Sequence, residues 1–351
     1  YKAKQRQNID PDKLIELVEM VRDNEKWGWL TASLFVFGCR SGETFSLIPD
    51  LETGTATSVC IPKGKKSMYI KYPIALTKEL AIKWELDNIQ REYYLHIPTN
   101  LPVNSPIVYV LHGWGGSGDE IMSYTEFNLL SDQYNFAVCY PTALIDGDGG
   151  SSGLTSWNTN GLTDVDFIHA LNDTLNYQYQ FDDNRTFATG MSYGAEMCFH
   201  LSRCQNSNII DAIAPLAGSI FDYMNICTLS TNVSTLVLHG TNDNVVNYNG
   251  GYFPNYGPYM SVNDIVSELV VYNSCILDTS YSLLDLNNDN NLTDVTKYQN
   301  FNSGTKVWFY SVNNGTHTWF DQAPFGVDDF WASEEIWSFF SQLGSLSLIH
   351  I

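Results

Sequence analysis

Positive charge is scarce in this 351-residue chain: 18 lysines and arginines stand against 39 aspartates and glutamates, a formal net charge of -21. A surface of that sign repels phosphate backbones and anionic lipid, and no stretch gathers basic residues into a stripe. Nucleic acid and anionic membrane surfaces are therefore not expected as partners. Long apolar runs are missing too. The longest, Trp27 to Cys39, falls short of the roughly 20 residues of a membrane-spanning helix, so no membrane span is expected. No Cys-x-x-Cys pair occurs, which removes the usual zinc frameworks. No repeat of solenoid period is visible either. What is present is core-forming material: 44% of residues are hydrophobic and 14% aromatic, so disorder is not the default. The length suits a single α/β domain of about 250 residues plus an extra segment.

Residues 1–88 read differently from the remainder. Asp10-Pro11 is a cap and first-turn pair, and Leu14, Leu17, Val18 and Val21 share one helical face. The apolar run Trp27–Cys39 has the length of a signal h-region, with a start at Met20 and Arg22 and Lys26 as a weakly charged leader. Its end, Val36-Phe37-Gly38-Cys39, is weakly similar to a lipoprotein cleavage site. A buried strand or helix explains the same run equally well, and Asp23 and Glu25 count against a signal. The segment then becomes irregular around Pro62-Lys63-Gly64-Lys65-Lys66, with no motif. It is expected to be a signal or accessory region ahead of a catalytic domain at 89–345.

From Arg91 onward, short apolar runs alternate with helical stretches. Residues 107–111, 136–140, 186–188, 212–214, 235–238 and 307–310 read as strands. Residues 164–178, 194–204, 262–273 and 329–340 read as helices. Strands apolar on both faces, with helices between them, predict an α/β fold: a mostly parallel, doubly wound sheet with helices on both faces.

Gly190-Met191-Ser192-Tyr193-Gly194 is a G-x-S-x-G sequence between a strand and a helix, the context in which its serine stands clear on a sharp turn. A serine hydroxyl needs a base, and of seven histidines only His317 lies in a loop just after the last predicted strand. His112 and His239 end strands and precede glycines, which suits shaping roles. Asp243, just past the strand 235–238, is the carboxylate expected to orient His317. Asp146 and Asp148 precede the nucleophile, and Asp222 is a weaker rival. The chain order Ser192, Asp243, His317 is that of α/β hydrolases. The N–H groups of Tyr193 and Trp114, the latter in Leu111-His112-Gly113-Trp114-Gly115-Gly116, are the expected oxyanion donors. A phosphate-cradling loop is the other reading of Gly115, Gly116 and Gly118, but the order is not a Walker motif and no lysine follows.

These motifs together resemble the extracellular polyhydroxybutyrate depolymerase and feruloyl esterase type of α/β hydrolase, similar to carbohydrate esterase family one, from about Arg91 to Phe340. Arg91-Glu92-Tyr93-Tyr94-Leu95-His96-Ile97-Pro98 is similar to that family's opening strand, and Asp164-Val165-Asp166-Phe167-Ile168 to its Asp-Asp-Val-Gly-Phe-Ile stretch. His239-Gly240-Thr241-Asn242-Asp243 matches its acid segment, and Gly315-Thr316-His317-Thr318-Trp319 its Gly-Gly-His-Thr-Trp-Pro motif. Departures are Asn-Gly-Thr-His before the base, Phe320 for proline, and Ala195 after Gly194. The resemblance implies a secreted, extracellular serine ester hydrolase that uses no cofactor; the weak lipoprotein-like site at Cys39 leaves a lipid-anchored or periplasmic protein as the other expectation. Its substrates would be polyester, feruloyl or acetyl-sugar esters, including plant cell-wall polysaccharide esters. Trp114, Trp157 and Trp319 are expected to wall an aromatic substrate cleft, although Trp157 is as well explained by packing. The alternatives are a peptidase or other acyl hydrolase on the same scaffold, and a non-catalytic recognition protein.

Smaller signals complete the reading. Seven cysteines leave at least one unpaired within the chain, with Cys204 and Cys227 as the candidate disulfide. Sequons at Asn172, Asn184, Asn232, Asn291 and Asn314 are weak signs of a glycoprotein. Asp285, Asn287 and Asp289 have the spacing of a calcium loop opening. Asn290 in place of the turn glycine and Thr296 in place of the closing glutamate favour a solvated loop, so no metal is expected.

Overall fold

The structure, a computed structural model, describes residues 91–204, 209–224, 227, 233–286, 292–321 and 329–343, together with two strands at 45–50 and 55–60. The chain divides into two units, Tyr1–Ser67 with Pro73–Gln90, and Met68–Tyr72 with Arg91–Ile351. In the first unit, β1 (Phe45–Asp50) and β2 (Thr55–Cys60) pair antiparallel. The expected helix around Leu14–Val21, the run Trp27–Cys39 and the lysine cluster at 63–66 lie outside the described residues.

The second unit is built on a nine-stranded sheet among the described residues. In chain order its strands are β3 (Glu92–His96), β4 (Ile107–Leu111), β5 (Ala137–Thr142), β6 (Thr186–Met191), β7 (Ala212–Leu216), β8 (Ser234–Gly240), β11 (Ile276–Ser282), β12 (Thr293–Gln299) and β13 (Lys306–Val312). A short hairpin, β9 (Gly251–Phe253) and β10 (Gly257–Tyr259), stands apart from them. Across the sheet the order is β11-β12-β13-β8-β7-β6-β4-β5-β3. The six strands from β13 to β5 run parallel, while β3 at one edge and β12 and β11 at the other run antiparallel. This is the mostly parallel α/β sheet that the sequence predicts.

Burial explains which strands the sequence reveals. Every residue of β4, β7 and β8 is buried, because helices cover both faces of the parallel part. The helices are α1 (Gly118–Thr125), α2 (Phe127–Tyr134), α3 (Thr163–Tyr179), α4 (Tyr193–Cys204), α5 (Val262–Tyr272) and α6 (Ala332–Ser341). Aromatic stacking ties α6 to the sheet: Phe136 lies 3.7 Å from Trp337 and Phe187 lies 4.6 Å from Phe340, ring centre to ring centre. Helix α5 is capped by Ser261, whose hydroxyl accepts from the Asp264 N–H at 3.1 Å.

Helices α1 and α2 escape the sequence reading. Each has only eight residues, and they meet at Glu126, which is left-handed (φ 54°), so neither has room to express a helical period. Gly118 begins α1 hard against β5: a Cβ there would stand 2.3 Å from the Tyr140 carbonyl oxygen. Strands β11 and β12 are missed for the opposite reason. They are short of buried residues, and all of β11 is exposed.

Cys204 and Cys227 form a disulfide. Cys139, Cys198 and Cys275 are buried free thiols. Among the sequons, Asn172 is buried in α3 and its side-chain oxygen accepts from the Tyr109 hydroxyl at 3.1 Å, so a glycan on Asn172 has no place in this fold. Asn184 and Asn314 are exposed, whereas Asn232, Asn291 and the span of the calcium-like loop from Asn287 to Asn290 lie outside the described residues.

Candidate active site

The parallel strands end along one edge of the sheet, and Ser192, Asp243 and His317 each follow the end of one of them: β6, β8 and β13. Strand β6 stops at Met191 and α4 starts at Tyr193, so Ser192 alone makes the turn. It does so with a φ of 56°, a left-handed conformation that L-residues seldom adopt and that neighbouring structure must enforce. Its N–H donates to the Leu216 carbonyl at the end of β7, and its own carbonyl accepts from the Ala195 and Glu196 N–H groups. The flanking glycines are required by contact. A Cβ on Gly194 would stand 2.0 Å from the Leu111 oxygen, and one on Gly190 2.6 Å from it.

Asp243 follows β8 in a turn and is 3% exposed. One of its oxygens, Oδ1, accepts from the Val245 and Val246 N–H groups at 2.8 and 2.9 Å. The other, Oδ2, accepts from Nδ1 of His317 at 2.7 Å. Burial alone would raise the Asp243 carboxyl. Hydrogen bonds from His239, His317 and the Val245 N–H, with the charge of His317, outweigh burial and hold it below the usual carboxylate range. Asp243 is thus an ionised acceptor at neutral pH. With a proton held on Nδ1 by that acceptor, Nε2 of His317 keeps its lone pair.

The loops carrying these two groups touch through glycine. A Cβ on Gly240 would stand 2.2 Å from the Gly315 oxygen, and one on Gly315 2.8 Å from Val312. That closeness lets the Asn242 N–H donate to the Gly315 oxygen at 3.0 Å and the Asn314 N–H to the Thr241 hydroxyl at 2.8 Å. The Asn-Gly-Thr-His departure thus keeps glycine at the position where the two loops cross.

The glycine-rich loop after β4 lies against the nucleophile: a Cβ on Gly113 would be 3.5 Å from that of Ser192. Gly115 and Gly116 donate to the Thr155 and Gly113 oxygens. Among the described residues, the N–H groups of Trp114 and Tyr193 have no backbone acceptor. His112 shapes this loop. Its Nε2 accepts from the Ala143 N–H at 3.0 Å, so Nδ1 carries the proton and donates to the Gly113 oxygen at 2.7 Å. Burial pushes His112 down to about 4, against a smaller opposing effect of the Gly113 hydrogen bond, and keeps the ring neutral. His239 serves the acid loop, with Nε2 donating to the Val246 oxygen at 2.8 Å and lying 3.4 Å from Asp243 Oδ2.

The three tryptophans separate. Trp114 is 52% exposed beside the nucleophile and free to meet a ligand. Trp157 is fully buried, with its Nε1 donating to the His112 oxygen at 2.8 Å and its ring against the imidazole. Trp319 is also buried, edge-on to Tyr124 and Phe127, with Nε1 donating to the Ser333 hydroxyl. The stacking role expected of Trp157 and Trp319 is corrected accordingly: both rings are enclosed by protein and hold loops in place.

Two features went unnoticed in the sequence. The first is a buried ion pair between Arg91 and Asp164, with Arg91 also 3.9 Å over the Phe167 ring. Burial lowers Arg91 to about 9. Asp164 also accepts from the Asn158 N–H, so the pair anchors the loop that carries Trp157. Arginine at the head of the opening strand and aspartate at the start of a helix were the available signals. The second is a cluster of hydroxyl groups beside the nucleophile. The Thr159 hydroxyl donates to that of Tyr193 at 3.3 Å and lies 3.0 Å from that of Tyr223, while the Tyr256 hydroxyl donates to Asp148 at 2.6 Å. Among the described residues no group of three or more His, Cys, Asp or Glu side chains is placed to hold a metal ion.

Comparison with known proteins agrees with this architecture. Residues 91–246 match the family model described as Esterase PHB depolymerase. A bifunctional acetylxylan esterase/xylanase of Neocallimastix patriciarum is 30% identical over 168 residues, 47% of this chain and 24% of that protein. An Aspergillus niger protein named "Probable feruloyl esterase C" is 30% identical over 168 residues, 46% of this chain and 58% of its own length. The chain thus spans about a quarter to three fifths of these relatives. The solved structure of Thermogutta terrifontis esterase 2 phosphoramylated by tabun superposes with a TM-score of 0.50 at 11% identity, covering 82% of this chain and 98% of that one. That likeness speaks for the fold. Residues 91–246 are thus similar to the Esterase PHB depolymerase family, and the sheet to which they contribute has the α/β-hydrolase fold.

Proposed function

We propose that this protein is a serine carboxylic ester hydrolase that works through an acyl-serine intermediate. His317, oriented by Asp243, takes the proton of Ser192 as its oxygen attacks the ester carbonyl. The N–H groups of Trp114 and Tyr193 bind the oxyanion, and His317 then protonates the departing alcohol. Water, activated by the same imidazole, frees the acid and restores the serine. The observation that carries this reading is the 2.7 Å bond from His317 to a buried, ionised Asp243, in a fold whose strand-to-helix turn at Gly190–Gly194 bears Ser192. The unit responsible is taken as residues 89–345, with 1–88 as a separate accessory segment.

The substrates are taken to be feruloyl, acetyl-sugar or hydroxybutyrate-type esters, in line with what the relatives are named for. An extracellular location belongs to the same reading. It is supported by the Cys204–Cys227 disulfide, a bond that persists in oxidising compartments. No helix among the described residues is long and apolar enough to cross a membrane.

Replacing Ser192 by Ala tests the reading most directly. Turnover of p-nitrophenyl acetate is expected to fall by about 10⁴-fold or more, and labelling by a fluorophosphonate to disappear. A variant that keeps near-normal turnover removes Ser192 from the chemistry.

A further inference from the structure

We propose that the cavity beside the glycine-rich loop is a binding site for a small organic ammonium group, held by the Glu120 carboxylate and the rings of Trp114 and Tyr124. The inference rests on the ester-hydrolase reading and adds to it the charge of a group that a substrate can carry into the site. The cavity has a volume of about 180 Å³ and is walled by His112, the loop 113–116 and, from α1, Glu120, Ile121 and Tyr124. It adjoins the nucleophile through Gly113, where a Cβ would stand 3.5 Å from that of Ser192.

Helical spacing assembles the wall. Glu120 and Tyr124 are four residues apart on α1, so they share the face turned to the loop. Glu120 reaches back over that loop: a Cβ on Gly116 would stand 3.4 Å from its Oε2. Among the described residues its carboxylate has no ion-pair partner. The Tyr124 ring is steadied from behind by Trp319, edge-on at 6.3 Å, and is still 36% exposed. Trp114, more exposed again, lines the same cavity from the loop. Aromatic faces carry negative partial charge, and with a carboxylate beside them they attract a cation.

No basic side chain competes for that carboxylate. From Arg91 to Ile351 the sequence has five basic residues against 27 aspartates and glutamates, and none of the five lines the cavity. Each is held elsewhere: Arg91 by Asp164, Arg185 by Asp182 at 2.6 Å, Arg203 by Glu268 at 2.7 Å, and Lys297 and Lys306 over the Trp308 ring. His112 stays neutral, so it adds no positive charge. A hard metal ion would need six or more oxygen ligands, whereas this wall offers one carboxylate and two rings. An organic ammonium, weakly hydrated and able to lie on aromatic faces, suits it better. An anionic group would meet repulsion from Glu120 and from the acidic surface around it.

Tetramethylammonium chloride is the probe, with tert-butanol as its uncharged counterpart and sodium chloride holding the ionic strength constant. The methyl proton resonance of each compound is titrated with wild type and with Glu120→Gln, and inhibition of p-nitrophenyl acetate hydrolysis is measured alongside. Wild type is expected to bind tetramethylammonium in the millimolar range, to be inhibited by it competitively, and to ignore tert-butanol at the same concentration. Glu120→Gln, an exposed and nearly isosteric change, is expected to bind the ion about fivefold more weakly or worse, since it removes the one charge in the wall. Equal response to the two compounds in wild type, or equal affinity for the ion in wild type and Glu120→Gln, overturns the site. Binding without inhibition overturns its place beside the reaction centre. Wild type inactive on p-nitrophenyl acetate counts against the ester-hydrolase reading alone, and the resonance then decides the ammonium site by itself.

Discussion

The two sides of the large sheet differ in almost every respect that matters. Its parallel centre is sealed: β4, β7 and β8 have no residue that is not buried, and the glycine-rich loop, Ser192 and Asp243 follow the ends of β4, β6 and β8. Its antiparallel extension is open: every residue of β11 is exposed, including Ile276 at 63% and Leu277 at 59%. The difference teaches where chemistry can be held. At the ends of parallel strands the backbone is fixed from both faces and successive loops meet at one edge, so three distant side chains can be aimed together. The extension has neighbours on one edge and one row of bonds, and it can tolerate change.

Three substitutions, taken from the largest expected effect to the smallest, sharpen or break that contrast. Asp243→Asn replaces the charged acceptor at the end of β8 by an amide and favours the wrong ring tautomer of His317. A fall in kcat of roughly 10³- to 10⁴-fold is expected with little change in folding. A kcat within tenfold of wild type would mean that the His317–Asp243 bond does not matter for turnover.

The second concerns stability at the end of β4. His112 sits at about 4 in the fold and near 6.5 once unfolded, so between those values the unfolded chain binds the extra proton. The stabilisation is complete above the higher value and is lost as pH falls through that window, by about 3 kcal/mol at most. The urea midpoint should therefore drop more steeply on acidification in wild type than in His112→Gln. Identical slopes in the two proteins would show that His112 charges freely in the fold.

The third probes the extension. Leu277→Lys on β11 is expected to change stability by no more than about 0.5 kcal/mol and ester turnover not at all. Cooperative unfolding at a much lower denaturant midpoint would show that the exposed edge is covered by something that needs Leu277.

The same contrast governs legibility. Strands such as 107–111 and 234–240 could be read because a strand buried on both faces is apolar throughout, a local property of the chain. Strands β11 and β12 carry no such signature, and α1 and α2 are interrupted at Glu126 before a period can emerge. Ser192 could be singled out because its turn needs glycine on either side, and His317 because it alone among the histidines follows the last parallel strand in a loop. Trp157 and Trp319 look alike in the sequence to the exposed Trp114, and only packing separates them.

By itself, then, the sequence determined the alternation of strand and helix, the serine turn and the order of the candidate catalytic groups. These depend on neighbours a few residues apart and on glycine's freedom from a side chain. Tertiary structure decided which aromatic rings are sealed and that Arg91 meets Asp164. Such outcomes depend on desolvation and on partners far along the chain, as with Thr159 and the tyrosines 34 and 64 residues beyond it. Local pattern carries no record of a dielectric environment that forms only when the loops close over the sheet.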